Sequence, residues 1–362
     1  IRAYVKRLRM ALINGAVLDL NRGQTHADAE GKFRLLLPDG IERTGRIPSY
    51  RQPAIKNAAG YFTEPGMDLI DFFIGSEGTL AAFSEIELSL EPAPETILGA
   101  IGFFPDETAA LSFVRAARGN ATPGPKPLDR LFALEYFDGH SLDLLRAQKT
   151  RLAGAGGHIP AFPASAQAAV YVEIGTSEAR LEKEAESLMA LLEAAGSSPD
   201  EAWTATTARE TETLKAFRHA LPETVNQLIG ERALAYPGLT KLGTDFAVPE
   251  NALDAMIRNY RDTFEGAGLE YVRFGHIGGD HLHANILPRT LDEYNQGKAL
   301  YLELARKTVK LGGTVSAEHG VGKLKKTLLQ IMYGDSGIEA MRAIKRVFDP
   351  QMLLNRGNLF DA

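Results

Sequence analysis

The spacing of hydrophobic positions divides the chain into short strands and longer helices. Strict alternation is typical of half-buried strands, whereas apolar residues three and four apart are typical of amphipathic helices. The predicted strands are residues 5–18, 33–37, 83–90, 97–104, 131–137, 169–174, 246–248 and 271–274. The predicted helices are residues 106–117, 177–195, 249–264, 291–311 and 337–348. Because strands and helices alternate through the middle of the chain, the pattern predicts an α+β protein with helices on one face of a sheet.

Turn-forming residues indicate where these elements are separated. Residues 92–94 read Pro-Ala-Pro and predict a domain boundary. Residues 119–127 and 153–163 are rich in glycine, alanine and proline, so we predict that they are loops. Ser177 is predicted to cap the helix that follows it, because a serine hydroxyl can accept a hydrogen bond from the first backbone amides.

Composition excludes several kinds of function. The 362 residues carry a net charge of −6 without a basic stripe, so we expect no nucleic-acid partner. The absence of cysteine excludes disulfides, thiolate nucleophiles and cysteine-ligated metal centres, so a metal would be held by His, Asp or Glu. No apolar run in the sequence is long enough to predict a membrane-spanning helix. Because the chain opens at Ile1 and not at Met, we expect its native amino terminus to be missing. The expected location is cytoplasmic, with peripheral attachment to a membrane as the alternative.

Four of the eight histidines lie between residues 276 and 319. Residues 278–279 are two glycines, which predict a turn between two short strands. On the outgoing strand His281, His283 and Asn285 share one face, because side chains alternate along a strand. The turn can therefore bring His276 beside His283.

Glu318 and His319 offer a carboxylate and an imidazole in a second, glycine-flanked segment. Two imidazoles and one carboxylate are a common ligand set for a divalent metal with open positions. The metal would bind a substrate oxygen, and His319 is then the candidate general base. The alternative is that these histidines are hydrogen-bonded core or loop residues.

A second informative stretch is the glycine-rich segment 75–80. Gly75 and Gly78 would allow backbone amides to approach a phosphate or a flavin edge, and Ser76 and Thr79 supply hydroxyls. From the residues alone, a strand-end turn before a buried strand is the simpler interpretation.

Five motifs occur here in the order in which one flavoprotein family has them. They are Lys-Asn-x-Ala-Gly-Tyr at residues 56–61, Gly-Ser-Glu-Gly-Thr-Leu at 75–80, Gly-His-x-Gly…His-x-Asn at 275–285, Glu-His-Gly-x-Gly at 318–322 and Phe-Asp-Pro…Leu-Asn-x-Gly at 348–357. Through these motifs the chain resembles the D-lactate, glycolate and D-2-hydroxyglutarate dehydrogenase group of the vanillyl-alcohol-oxidase superfamily.

The resemblance implies FAD bound by a two-part flavin domain, with a ferredoxin-like cap as the substrate domain. Residues 1–93 would be the second part of the FAD-binding domain, 94–330 the cap with its metal site, and 331–362 a tail that packs back on the flavin domain. The family's first FAD subdomain is expected to precede residue 1. We therefore expect the chain alone to hold FAD weakly.

The resemblance also implies roles for the histidine cluster. His276, His283 and Glu318 would bind a divalent metal, with Zn²⁺ or Mn²⁺ expected. His319 would be the general base, and Asn285 would lie close to the flavin or the substrate.

Flavin and substrate contacts follow from the same resemblance. Arg218 is the candidate for the cap arginine that clamps the substrate carboxylate, since a guanidinium can donate two parallel hydrogen bonds. Lys241 is a weaker second candidate, because its spacing to the next aspartate differs from that of the hydroxyglutarate enzymes. For both residues the alternative is a solvated surface cation. The residues expected to line FAD or lie near it are Lys56, Asn57, Tyr61, Gly75, Ser76, Glu77, Gly78 and Thr79.

One departure from the family pattern lies inside the metal motif. Many relatives read Gly-Asp-Gly-Asn where residues 278–281 of this chain read Gly-Gly-Asp-His. The ligand spacing is kept, but His281 adds a third imidazole that can join or perturb the site.

The predicted function is FAD-dependent oxidation of a D-2-hydroxyacid to a 2-oxoacid. The electrons would pass to a quinone, a cytochrome or an electron-transfer flavoprotein, and the candidate assembly is a homodimer. Three alternatives remain open from the sequence. One is a metal-dependent hydrolase with the same three ligands and no flavin, and another is a non-catalytic binding module that keeps the fold. The third is a flavin-dependent non-redox transferase like the ether-lipid synthases of the superfamily.

Overall fold

The computed structural model describes residues 1–37, 40–120, 127–152 and 160–361. The chain divides into two compact units. Unit 1 consists of Ile1–Pro92, Phe246–Pro249 and Ala305–Ala362, and unit 2 consists of Ala93–Asp245 and Glu250–Leu304. The loops predicted at residues 119–127 and 153–163 lie mostly outside the described residues.

This division differs from the sequence-based domain ranges at the second boundary. The predicted cap domain ends at residue 330, whereas unit 2 of the structure ends at Leu304. Residues 314–322 belong to unit 1 because they hydrogen-bond to residues 57–77 of that unit. The segment Phe246–Pro249 also belongs to unit 1, where Ala247 forms a β-bridge with Thr314.

Strands and helices are numbered in chain order. The strands are β1 (Val5–Ala11), β2 (Val17–Asn21), β3 (Lys32–Leu36), β4 (Glu42–Arg46), β5 (Ala82–Leu88), β6 (Thr96–Phe104), β7 (Leu131–Phe137), β8 (Ala168–Thr176), β9 (Trp203–Ala205), β10 (Leu242–Gly243), β11 (Phe246–Ala247), β12 (Tyr271–Gly275) and β13 (His281–Ile286). The helices are α1 (Ile70–Phe73), α2 (Glu107–Arg118), α3 (Gly139–Leu152), α4 (Leu181–Ala194), α5 (Ala208–Ala235), α6 (Leu253–Gly266), α7 (Leu291–Lys310) and α8 (Lys326–Phe348). Among the described helices, none has the length and apolar content needed to cross a bilayer.

Unit 1 contains an antiparallel sheet with the strand order β2-β1-β5 and the hairpin β3–β4. Buried and exposed residues alternate along β2 and β3, as in strands with one face on the core. The prediction of a half-buried strand near residues 83–90 was wrong in one respect, because every residue of β5 is exposed, including Phe83 and Ile86. An alternating pattern determines which side chains share a face. It does not determine whether that face is covered.

Unit 2 is built on an antiparallel sheet with the order β10-β13-β12-β7-β8-β6-β9. The strand β8 is buried along nearly its whole length, so both of its faces lie in the core. Helix α5 packs on this sheet through Phe217, whose ring makes edge-on contacts with Phe103, Phe137 and Trp203. Edge-on aromatic contacts of this kind add to the free energy gained by burial. The mixture of helices with an antiparallel sheet confirms the predicted α+β class.

The sequence pattern did not predict α3 or α5, although α5 is 28 residues long. Pro222 lies inside α5, and an internal proline ordinarily indicates a helix end. The helix nevertheless begins at a capping box, in which Thr207 and Glu210 bond reciprocally to each other's backbone amides. The predicted cap of α4 was wrong, because the Ser177 side chain makes no cap hydrogen bond and a 3₁₀ turn separates it from the helix.

Helix α8 begins well before the predicted start at residue 337. It starts at Lys326 and is interrupted at Gly334, whose φ of 66° is left-handed. Because the break rotates the helical register, the apolar spacing before Gly334 does not continue the spacing after it. A search for one continuous period therefore detects only the second half.

The end of α8 is fixed by a buried ion pair. Lys345 Nζ lies 2.9 Å from Asp349 Oδ2 and also donates to the carbonyl oxygens of Thr79 and Leu354. Burial by itself raises the pKa of Asp349, but the hydrogen bonds from Lys345 and from the backbone outweigh it and hold that pKa below its ordinary value. The ammonium therefore ties the end of α8 to the loop that contains Thr79.

Replacing Lys345 by Met should destabilise unit 1, because Asp349 would keep a buried charge without its cation. We expect a loss of about 3–5 kcal/mol in the free energy of unfolding, measured by urea titration. Lys326→Met is the matched control, since Lys326 forms an ion pair with the exposed Asp361. That control should cost less than about 1 kcal/mol. Similar losses in the two variants would contradict the assigned role of Lys345.

Candidate functional site

Three histidines of unit 2 converge where β12 turns into β13. His276 follows β12, and His281 and His283 lie on one face of β13. The 3₁₀ turn Ile277–Gly279 reverses the chain, so the ring centroids of His276 and His283 are 5.7 Å apart. One ring nitrogen from each histidine lies within 4.8 Å of the other two. The turn thus folds His276 back beside His283, as the sequence predicts.

Both predicted ligand histidines have an oxygen acceptor for the Nδ1 proton. His276 Nδ1 lies 2.8 Å from Glu135 Oε1, and His283 Nδ1 lies 2.9 Å from the backbone oxygen of Thr244. Donation from Nδ1 leaves the lone pair of a neutral imidazole on Nε2. Metal-binding histidines usually make such a second contact, because it fixes the tautomer and the ring orientation. These two imidazoles therefore fit a divalent ion.

Buried charges hold the turn that carries the cluster. His281 is completely buried, and its Nε2 lies 3.1 Å from Oδ1 of the buried Asp245. Asp280 has a left-handed φ of 51° and accepts two hydrogen bonds from Arg118, at 2.7 and 3.0 Å. Burial raises the pKa of Asp280, and the Arg118 guanidinium opposes that rise. The third imidazole thus directly follows a residue that two hydrogen bonds hold in place.

Glu135 of β7 is a candidate functional residue that the sequence analysis missed. It is only 5% exposed, and its Oε1 accepts from Arg218 Nη2 at 2.7 Å as well as from His276. The available signal was an acidic residue in the otherwise apolar strand Leu131–Phe137, since charges are seldom buried without a partner or a function. Arg218 is therefore an ion-paired residue and not a freely solvated surface cation.

The other two substrate candidates, Lys241 and Asn285, lie next to and on the strand pair β10–β13. Gly243 is opposite Asn285 in that pair, and Lys241 immediately precedes β10. A Cβ at Gly243 would lie 2.6 Å from Asn285 Oδ1, so a larger residue there would displace the Asn285 side chain. Lys241 is half-buried, and burial lowers its pKa. Arg218, Lys241 and Asn285 thus all belong to unit 2.

Unit 1 carries the predicted carboxylate ligand and the predicted base. Glu318 forms an ion pair with Lys56, and His319 Nε2 lies 3.4 Å from Glu318 Oε1. The side chain of His319 is 62% exposed, which leaves its imidazole accessible for proton transfer. Asn57, beside Lys56, accepts a 2.6 Å hydrogen bond from the Thr314 hydroxyl. Two of the five sequence motifs are thus bonded to each other.

Glu77 connects the glycine-rich loop to two further motifs of unit 1. Its carboxylate accepts hydrogen bonds from the backbone amides of Val321 and Gly322 and from the Asn358 side chain, each at 2.7 Å. Its backbone oxygen accepts from Asn355 at 2.6 Å, and its φ of 54° is left-handed. Glu77 was predicted to line FAD. In this structure its carboxylate is engaged with the protein itself.

Ser76 offers the feature of the glycine-rich loop that best fits a ligand. Its hydroxyl is buried and has no hydrogen-bond partner among the described residues. By contrast, the Thr79 hydroxyl lies 2.6 Å from the buried Tyr61 hydroxyl and also bonds to the Ser76 carbonyl. Burial raises the pKa of Tyr61 above its ordinary value. Since buried polar groups are nearly always paired, the Ser76 hydroxyl fits a site for a bound group such as FAD.

The chain matches the family of FAD linked oxidases, C-terminal domain, over residues 93–359. Because the match covers most of the sequence, the chain belongs to this family. The resemblance predicted from the five motifs is confirmed.

Three curated relatives are similar along nearly the whole chain. Glycolate oxidase subunit GlcD of Bacillus subtilis is 29% identical over 96% of this chain and 66% of its own length. D-2-hydroxyglutarate dehydrogenase of Stutzerimonas stutzeri is 29% identical over 88% of the chain and 63% of its own length. D-lactate dehydrogenase of Archaeoglobus fulgidus is 26% identical over 95% and 69%. The chain thus spans about two thirds of the length of these relatives.

Solved structures share the fold at low sequence identity. p-Cresol methylhydroxylase aligns with a TM-score of 0.58 and 14% identity, covering 99% of this chain and 65% of that structure. 4-Ethylphenol oxidase from Gulosibacter chungangensis aligns with a TM-score of 0.54 and 15% identity, covering 99% and 66%. This likeness, together with the family match, confirms the predicted fold class.

Glu77→Gln should weaken the loop junction of unit 1. A glutamine has one acceptor oxygen, and its NH₂ group would face backbone amides that are themselves donors. We expect a loss of about 1–3 kcal/mol in the free energy of unfolding, measured by urea titration. Glu85→Gln, on the exposed strand β5, is the control and should cost less than about 1 kcal/mol. Equal stability of parent and Glu77→Gln would contradict the role assigned to the carboxylate.

Proposed function

We propose that the protein that contains this chain oxidises a D-2-hydroxyacid to the corresponding 2-oxoacid, with FAD as its cofactor. Family membership supports a flavin-linked oxidase, and relatives named for glycolate, D-2-hydroxyglutarate and D-lactate support the substrate class. The observation that carries the proposal is the orientation of His276 and His283, whose Nδ1 atoms both face oxygen acceptors. Imidazoles held in this way suit a divalent ion that binds the hydroxyl and carboxylate of such a substrate.

The proposed metal ligands are the Nε2 atoms of His276 and His283 and the carboxylate of Glu318. This nitrogen and oxygen set suits Zn²⁺ or Mn²⁺. When bound, the ion lowers the pKa of a coordinated hydroxyl. Lys56 is the counter-charge of Glu318 in the structure, so we expect a cation at the site to compete with Lys56 for that carboxylate.

The remaining site residues are proposed to act on the substrate. Arg218 binds the substrate carboxylate, with Lys241 as a second cation and Asn285 as a hydrogen-bonding group. His319 takes the proton of the substrate hydroxyl while hydride leaves C2, which together converts the alcohol carbon to a carbonyl. FAD, when bound, supplies the acceptor for that hydride.

Residues 75–79 are proposed to line FAD, with the buried Ser76 hydroxyl as a hydrogen-bonding group. Lys56, Asn57 and Tyr61 are proposed to support this loop. Reoxidation needs an external acceptor, for which a quinone, a cytochrome or an electron-transfer flavoprotein is proposed. The 362 residues contain no cysteine for an iron–sulfur relay.

Anaerobic mixing of the FAD-loaded protein with substrate tests the reaction class. We expect loss of the oxidised-flavin absorbance with D-lactate, glycolate or D-2-hydroxyglutarate, because hydride transfer reduces the flavin. L-Lactate is the stereochemical control and should leave the absorbance unchanged. A flavin that stays oxidised with all three hydroxyacids would contradict the proposal and favour a hydrolase or a non-redox transferase.

Removing the proposed base should slow the reductive step. For His319→Ala we expect flavin reduction by the best substrate to slow by about 10²–10⁴-fold, since a positioned general base contributes on that order. Stopped-flow absorbance gives the rate directly. His219→Ala replaces an exposed histidine of α5 and is the matched control. If His319→Ala reduces its flavin at the parent rate, another group is the base.

A further inference from the structure

Glu135 makes two contacts through a single carboxylate oxygen. Oε1 accepts from His276 Nδ1 at 2.8 Å and from Arg218 Nη2 at 2.7 Å. The side chain lies in the interior of unit 2. Moving a carboxylate out of water costs several kcal/mol unless cations and donors compensate it. Arg218 and His276 are therefore the groups that make a charge at this position tolerable.

The sheet places these partners by strand register. Glu135 lies opposite Tyr171 in the pair β7–β8, and on the other side of β7, Tyr136 lies opposite Gly275, which directly precedes His276. Arg218 comes from α5, and its guanidinium carbon lies 5.9 Å from the centre of the Tyr171 ring. Three separate elements thus meet at one oxygen. Strand pairing fixes Glu135 and the end of β12 next to His276, while Arg218 is placed by helix α5.

The chemistry of the contact with His276 is directional. Because a carboxylate only accepts, a neutral imidazole must donate from Nδ1 and carry its lone pair on Nε2. A carboxylate on the remote nitrogen also makes an imidazole a better ligand, and losing such a partner typically weakens metal binding by about 10–100-fold. A neutral amide in the same place could not hold the ring as strongly.

The contact with Arg218 has a different consequence. One Nη2 donor of the guanidinium is used by Glu135, while an arginine has five N–H donors in a planar fork. The hydrogen bond to Glu135 restricts the rotation of the Arg218 guanidinium and leaves its other N–H groups free to donate to a ligand carboxylate. Glu135 therefore constrains a candidate substrate-binding residue as well as a candidate metal ligand.

We propose that Glu135 is a positioning residue that sets the tautomer of His276 and anchors Arg218, so that one buried carboxylate aligns the metal ligand with the cation that binds the substrate carboxylate. This inference rests on the proposed function. A purely structural Glu135 would affect stability alone, whereas a positioning residue affects metal affinity and substrate affinity.

The test replaces Glu135 by Gln in the FAD-loaded protein and measures Zn²⁺ affinity by titration calorimetry of the metal-depleted sample. We expect binding to weaken by about 10–100-fold, together with a higher KM for the best hydroxyacid. Arg218→Met separates the two contacts, because it removes the substrate cation but keeps a carboxylate on His276; it should raise KM and weaken Zn²⁺ binding less than Glu135→Gln does. Glu173→Gln is the matched control, since Glu173 is a partly buried carboxylate of β8 that accepts from Tyr171. It should change neither quantity.

The outcomes separate this inference from the proposed function. Unchanged Zn²⁺ affinity in Glu135→Gln, with a parent that binds the ion, would overturn the inference alone. A parent that binds no divalent ion would overturn the proposed metal site and the inference with it. If Glu135→Gln fails to fold, Glu135→Asp takes its place in the test. This variant keeps the carboxylate charge but moves it away from His276 by the length of one methylene group. That variant should then weaken Zn²⁺ binding, and parent-like affinity would overturn the inference.

Discussion

The organisation of unit 1 depends on one carboxylate that satisfies backbone amides far away in sequence. Glu77 accepts from Val321, Gly322 and Asn358, and so connects the glycine-rich loop to the loop after α7 and to the carboxy-terminal segment. A buried amide without an acceptor is costly, so each of these hydrogen bonds has to form when unit 1 folds. Four of the five sequence motifs, at residues 56–61, 75–80, 318–322 and 348–357, are thus joined to one another by contacts within unit 1.

Much of the secondary structure could be predicted from the sequence, because strands such as β6 to β8 are predominantly apolar and are bounded by turn-forming residues. The histidine cluster could be predicted as well, since two glycines fix the turn between β12 and β13. Other features depend on contacts that no local pattern contains. Helix α5 contains Pro222, and the exposed strand β5 alternates like a buried one. Glu135 stands out in the sequence as an acidic residue in an apolar strand, but its candidate role depends on its contacts with His276 and Arg218.

The two units divide the proposed chemistry between them. Unit 2 contains the three clustered histidines and the cations proposed for the substrate, while unit 1 contains Glu318, His319 and the glycine-rich loop. In unit 2 the polar groups are fixed by buried carboxylates, namely Glu135, Asp245 and Asp280. In unit 1 the imidazole of His319 is largely solvent-exposed.

Unit 1 is discontinuous in sequence, and this has a consequence for its synthesis. Glu77 is made 244 residues before its partner Val321. At about 5–20 residues per second, a ribosome needs on the order of 10–50 s to cover that distance. Unit 2 can therefore complete its sheet while the amino-terminal strands still lack their closing segment. During that interval Phe33 of β3 lacks the ring of Phe348, against which it stacks in the folded unit.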